Sequence, residues 1–447
     1  MRSALVLVIS LLALAACTVH PAAAGAAAAR RTDGETANVY LVDRDDALYK
    51  LDGRTGTTIW RQPLPAALRP AYWRLYVSGD GCWVVTDQAV LAFDSRTGRA
   101  RGQYPTPAGQ ANIAQAVADS GTLYLRRMGA AGTTLVALDG DARARWSAPV
   151  PVIPVPLAVL DGTVFLQVKN NARQASSGLL ALDAATGAVR WQLAATPAPL
   201  PESLVRAGDM LVGVSEAVAV YASHLMGVDL RTGALVWDVA AADRYYYSQF
   251  PPRVAGDTVY VNNGLLLEIG WPANTGDRTV EARDVATGAL QARSAPSWDL
   301  PTGLEDGPFV ARHFGADAQT LDVLGSDLTP APTPTQLCAA NCVQDWWAAS
   351  GNRVWVINDT GNGTGELMAA DVRRGEVEYR VPIDRTLPPQ FEFWGASGAG
   401  RLYVQAFDAT GLWLQAIGLR DGGSLWTRHY LPPQDPREGY GNPVVAP

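Results

Sequence analysis

The stretch Gly178-Leu179-Leu180-Ala181-Leu182-Asp183-Ala184-Ala185-Thr186-Gly187-Ala188-Val189-Arg190-Trp191 reads as a strand ending at Asp183, a tight turn and a second strand ending at Trp191. An aspartate at the strand end accepts backbone N–H bonds from the turn, and the glycine supplies the positive φ that the reversal needs. The same device returns as Asp52 with Gly56 and Trp60, Asp94 with Gly98, Asp229 with Gly233 and Trp237, and Asp284 with Gly288. Variants follow: Asp139 with Trp146 is one residue shorter, Asp371 with Gly375 carries Tyr379, and Gly418 with Gly422 carries Trp426. The chain is a repeat protein.

The strand ends recur at intervals of 42 to 55 residues, with one gap of 87 between Asp284 and Asp371. A period in the forties matches one four-stranded propeller blade. The long gap is close to two periods, and the segment 319–325 is the best place in it for a worn copy. Upstream of the motif each unit has a turn and an apolar strand, as in Asp161-Gly162-Thr163-Val164-Phe165-Leu166 and Gly351-Asn352-Arg353-Val354-Trp355-Val356. Each unit is therefore four short strands joined by hairpins, apolar on both faces because each sheet lies between two others. An indole buried between blades removes about 150–250 Å² from water, roughly 3–5 kcal/mol gross. The Asp turn contributes about 1 kcal/mol. The first unit, residues 38–64, lacks its leading strand, while Asn442-Pro443-Val444-Val445-Ala446 is a lone strand at the other end of the chain. Pairing the two closes the ring and removes both open sheet edges.

The chain has 447 residues, 48% hydrophobic and 18% charged, with a net charge of −7, which describes a well-buried globular protein. No run of Lys or Arg stands out, so nucleic acid is excluded as the expected partner. At the N-terminus, Met1-Arg2 precedes an apolar run from Ala4 to Ala13 and then Leu14-Ala15-Ala16-Cys17. The run is too short to remain as a membrane span and has the layout of a signal peptide. The expected organisation is a signal peptide over 1–16, a flexible Ala-rich tether over 17–36 and a single propeller domain over 37–447.

The pattern Ala181-Leu182-Asp183 to Thr186-Gly187 and Trp191 resembles the pyrroloquinoline-quinone-type propeller repeat, and Leu14-Ala15-Ala16-Cys17 resembles the bacterial lipobox. Together they make the chain similar to the lipoproteins related to the propeller subunit of the outer-membrane β-barrel assembly machinery. The resemblance implies lipidation at Cys17, with the membrane touched through that lipid only. It places the protein in the cell envelope: the periplasmic face of the outer membrane in a Gram-negative cell, the outer face of the plasma membrane otherwise. It implies an all-β propeller of eight blades, the count usual for these relatives at its upper end, with nine as the alternative if the worn copy is real. The implied function is a monomeric protein-binding scaffold with an envelope protein as partner and no cofactor. The alternatives are a quinone-dependent oxidoreductase using pyrroloquinoline quinone and calcium, or a carbohydrate- or cell-wall-binding lipoprotein. Against the oxidoreductase, the adjacent cysteine pair typical of quinone dehydrogenases of this fold is missing.

No catalytic constellation is present: there is no Gly-x-Ser-x-Gly elbow, no His-Glu-x-x-His and no phosphate loop. His20, His224, His313 and His429 fall in separate segments. Cys338 and Cys342 sit in a Pro/Thr-rich insertion where a disulfide is expected in an exported protein, a metal site needing further ligands. Cys82 lies in an apolar strand and reads as a buried, inert thiol. The acidic segment Asp43, Asp45, Asp46 reads as a solvated hairpin, and 358–366 as a long hairpin loop; neither has calcium-loop spacing. The aromatic clusters Tyr245-Tyr246-Tyr247 and Trp346-Trp347 pack on the propeller rim or, if exposed, form a docking face, because rigid aromatics give large contact area at low entropy cost.

Overall fold

The computed structural model describes residues 37–43, 47–65, 73–150, 153–169, 177–193, 203–217, 222–240, 245–246, 252–264, 278–296, 298–299, 310–314, 318–325, 327–330, 334–339, 343–359, 364–386, 395–398, 400–408, 411–430 and 444–446. Cys17, the signal segment and the tether lie outside them, as do Asp45, Asp46, Tyr247 and Cys342.

The described residues form nine antiparallel sheets, eight of four strands and one whose first strand is in two pieces. In chain order they are blade 2 (73–105), blade 3 (110–150), blade 4 (153–193), blade 5 (203–240), blade 6 (245–293), blade 7 (298–339), blade 8 (343–386) and blade 9 (395–430). Blade 1 combines Asn38–Asp43, Ala47–Asp52 and Thr58–Pro63 with the tail strand Val444–Ala446. The count is nine rather than the preferred eight. The ninth is the worn copy, blade 7, whose third strand Ala318–Val323 lies where the long gap in the repeat had room for it.

The tail pairs Asn38 with Ala446, Val39 with Val445 and Tyr40 with Val444, so the last residues complete the first blade. In each blade the first strand lies innermost, against the first strands of its neighbours where these touch, and the fourth strand is the outer edge. Outer strands accordingly alternate exposure, as in Leu235–Ala240, while the second and third strands are buried on both faces, as in Gly81–Thr86. Nine apolar clusters fill the nine gaps between consecutive blades, the last joining Val39, Leu41 and Leu51 of blade 1 to Tyr403, Leu414 and Ala416 of blade 9.

The up-and-down order sorts the connections into two ends. One end carries the hairpins between strands one and two together with the Asp turns between strands three and four. Most of its hairpins are two-residue reversals, such as Gly208-Asp209 and Gly256-Asp257, with the glycine at positive φ. The other end carries the connections between strands two and three and those between blades. Segments 194–202, 265–277, 387–394 and 431–443, outside the described residues, all join strand ends there.

Candidate functional site

The turn end has a repeated geometry. In blade 4, Asp183 Oδ1 accepts bonds from the N–H of Ala185 (3.0 Å) and Thr186 (2.9 Å) and from the Thr186 hydroxyl (2.9 Å). The Thr186 hydroxyl in turn accepts the N–H of Ala188. Thr55 of blade 1, Thr97 of blade 2, Thr232 of blade 5 and Thr287 of blade 6 do the same with their aspartates. Arg190 and Thr186 hold the Asp183 carboxyl down at about 2. The Thr232 hydroxyl depresses Asp229, and Arg101 depresses Asp94.

The residue after each aspartate is gripped from both sides. Its N–H bonds to the neighbouring hairpin of its own blade: Ser95 to Asp80, Ala184 to Gly162, Leu230 to Asp209 and Val285 to Asp257. Its carbonyl accepts the indole N–H of the preceding blade: Trp60 to Ser95, Trp146 to Ala184, Trp191 to Leu230, Trp237 to Val285 and Trp426 to Gly53, at 2.8–3.2 Å. The indole then covers the turn glycine. A Cβ on Gly98 would lie 2.6 Å from Trp60 Cδ2, and one on Gly56 2.7 Å from Trp426 Cδ2. Trp146 covers Gly187, Trp191 covers Gly233 and Trp237 covers Gly288. The glycine is thus required twice, for its φ of +72° at Gly98 and for the flat surface the indole needs. Sequence reasoning found these residues within each repeat but missed that the indole serves the next one.

Where the outer tryptophan is missing, another aromatic takes over. Blade 8 uses the Tyr379 hydroxyl and the Trp355 indole, both donating to Leu419 O. Between blades 2 and 3, fully buried Trp83 donates to Asp139 O at 3.1 Å, and Gly102 at the outer position lets the blade 3 backbone approach directly. Between blades 6 and 7, Ala292 stands at the outer position and buried Trp298 packs from blade 7 instead. The signal for these substitutes is a tryptophan on an inner strand beside a repeat that lacks its outer one.

Buried ionisable groups are accounted for by local partners. Glu281, fully buried in blade 6, accepts from Arg283 (2.7 Å), Arg293 (2.6 Å) and Asn263 (3.1 Å). Lys50 donates to Ser95 O at 3.0 Å and lies 5.3 Å from the Tyr40 ring centroid. Burial pushes the adjacent Cys82 thiol far up, with Lys50 partly opposing it, so this thiol is protonated and poorly nucleophilic. Burial also raises Asp322, eased by Thr320 and His313. His224, His313 and His429 sit in blades 5, 7 and 9, with His224 bonded to Asp238 and the other two stacked on Trp298 and Trp413. Among the described residues no three His, Cys, Asp or Glu side chains are grouped to hold a metal ion.

The described members of the aromatic clusters lie on innermost strands. Tyr245 and Tyr246 form part of the innermost strand of blade 6, paired with Gly264 and Asn263. Trp346 and Trp347 lie in the innermost strand of blade 8, opposite Ile357 and Val356. Cys338 is in the outer strand of blade 7, opposite Gln319; its expected partner Cys342 is outside the described residues.

Among solved structures the chain is similar to the eukaryotic initiation factor (TM-score 0.58, 9% identity, 92% of this chain and 98% of that one), a likeness of fold alone. It is also similar to BamB from Moraxella catarrhalis (TM-score 0.44, 16% identity, 84% and 92%). A third is the quinohemoprotein alcohol dehydrogenase ADHIIG from Pseudomonas putida HK5 (0.43, 13%, 79% and 65%). No curated protein matches the chain in sequence. The model of one family matches residues 22–152 and 86–378, well over half of the chain, and the protein therefore belongs to the propeller family described as outer membrane protein assembly factor BamB.

Proposed function

We propose that the protein is a lipid-anchored, protein-binding scaffold of the bacterial cell envelope, working in outer-membrane protein assembly where the cell has an outer membrane. The supporting observation is the division between the two ends. Outside blade 7, the repeat residues of the turn end are committed to joining blades while the longer connections gather at the other end, where a partner can be recognised without disturbing the ring. Tyr246 and Trp347 are the residues chosen to read partner capture. Cross-linking in the native envelope, followed by the same capture with Tyr246→Ser and Trp347→Ser, tests the reading. A specific envelope protein captured by the parent and reduced in at least one variant supports it. Reduction of a dye in the presence of pyrroloquinoline quinone and calcium, or retention of a glycan in place of a protein, would overturn it.

A further inference from the structure

We propose that the turn end of blades 8, 9, 1 and 2 docks on an anionic phospholipid surface. Ring order brings together arginines that the sequence scatters. Arg373 of blade 8, Arg420 of blade 9, Arg54 of blade 1 and Arg96 of blade 2 all stand two residues after the strand end, at the tips of four consecutive turns. Each is exposed and makes no side-chain hydrogen bond or ion pair among the described residues, and Arg99 adds a fifth. The acids nearest to them have partners of their own: Asp52 accepts from the Thr55 hydroxyl, Asp421 from the Gly423 N–H, Asp94 and Asp80 pair with Arg101, and Asp371 with Arg374.

The opposite arc differs. At the same turn position blade 4 has Ala185 and blade 6 has Ala286, and blade 5 alone keeps an arginine, Arg231. The hairpins beside those turns carry Asp209, Asp257 and Asp161, the last paired with Arg206. One half of this end is thus cationic at its tips and the other is not, in a chain whose net charge is −7.

Exposed aliphatics follow the turns closely: Ile59 (48% exposed) and Leu425 (46%), each three residues after a turn glycine. Val236 and Leu290 continue this collar on blades 5 and 6, so the aliphatics mark the end and the arginines choose the side. The chain also arrives here: the Ala37 carbonyl accepts Gly53 N–H at 3.1 Å, in the middle of the arginine arc. Twenty residues of tether from Cys17 span about 25 Å as a random coil. Since one lipid chain alone holds a protein only marginally, a second, electrostatic contact beside the anchor is the chemistry that makes attachment stable.

Only the N-terminal anchor is taken from the proposed function, and every protein in the test shares the same N-terminus. Full-length protein is floated with phosphatidylglycerol-containing and with pure phosphatidylcholine vesicles. The comparison is with R54S/R96S/R373S/R420S and with the control R143S/R231S from the opposite arc. Each neutralised arginine is expected to weaken binding to the anionic vesicles about fivefold. Phosphatidylcholine binding and thermal midpoint should be equal for all three proteins. Equal binding of parent and fourfold variant to anionic vesicles, or an equal loss in the control, would overturn the proposal. Displacement by inorganic phosphate beyond that by chloride of the same ionic strength would also do so, marking discrete anion sites instead.

Discussion

The joint between blades 4 and 5 and the joint between blades 7 and 8 solve the same problem with different means. At the first, Trp191 lies over Gly233, donates to Leu230 O and packs among Phe165, Leu211 and Met226. At the second no indole is among the described side chains; Leu321 and Leu337 meet Val354, Val356 and Met368, and Arg380 reaches across to the carbonyls of Gln336 and Leu337. The second joint also buries Asn358, whose side-chain atoms have no hydrogen-bond partner among the described residues. A ring needs every gap filled with apolar surface, but it does not need the repeat motif at every gap. The motif adds strength where it is intact.

That difference can be broken most severely at the intact joint. Trp191→Ala removes a buried indole and its bond, and should cost about 3–5 kcal/mol in denaturant melts. Leu337→Ala, at the joint without the motif, removes fewer apolar atoms and no hydrogen bond; it should cost about 2–5 kcal/mol and less than Trp191→Ala in the same melts. Equal losses would show that the indole is ordinary packing.

A smaller effect separates the turn acids from the buried acid of the worn blade. Asp183 is held below its ordinary 3.8, so its contribution to stability is present above that pH and is lost as the pH falls toward about 2. Asp322 is raised by burial, so the fold favours its neutral form and that preference is lost as the pH rises through the raised value. Asp183→Asn should therefore lower the thermal midpoint at neutral pH, the gap closing in acid. Asp322→Asn should raise it at neutral pH, and that gap too should close below the ordinary carboxylate range. Shifts of the same sign would contradict the assignment.

Much of this was legible from residues whose chemistry is local. An Asp, a Thr and a Gly within five positions determine their own turn, and the tail strand stood out because Val444-Val445-Ala446 had no partner nearby in sequence. Even blade 7 left its trace as a doubled interval. What was not legible depends on neighbours in space. The indole's acceptor lies on the next repeat, 35 residues away for Trp60 and Ser95. Trp83 and Trp298 read as ordinary strand residues because the vacancies they fill lie on other strands, Gly102 on the outer strand of Trp83's own blade and Ala292 on that of the blade before Trp298. Blade 7 escapes a count of motifs because the worn copy lacks both the aspartate and the tryptophan. Where Tyr245, Tyr246, Trp346 and Trp347 stand in a blade depends on strand order, which the residues themselves do not carry.

Closure of the ring by the chain's own tail is the claim on which the rest depends, and disulfide trapping tests it directly. Val39 and Val445 are register partners on adjacent antiparallel strands, whereas Val444 faces the other side of the sheet. Val39→Cys with Val445→Cys should link on mild oxidation of the native protein, identified by mass spectrometry of the joined peptides, while Val39→Cys with Val444→Cys should not. Failure of the first pair, or equal linkage of both, would contradict a sealed nine-blade ring.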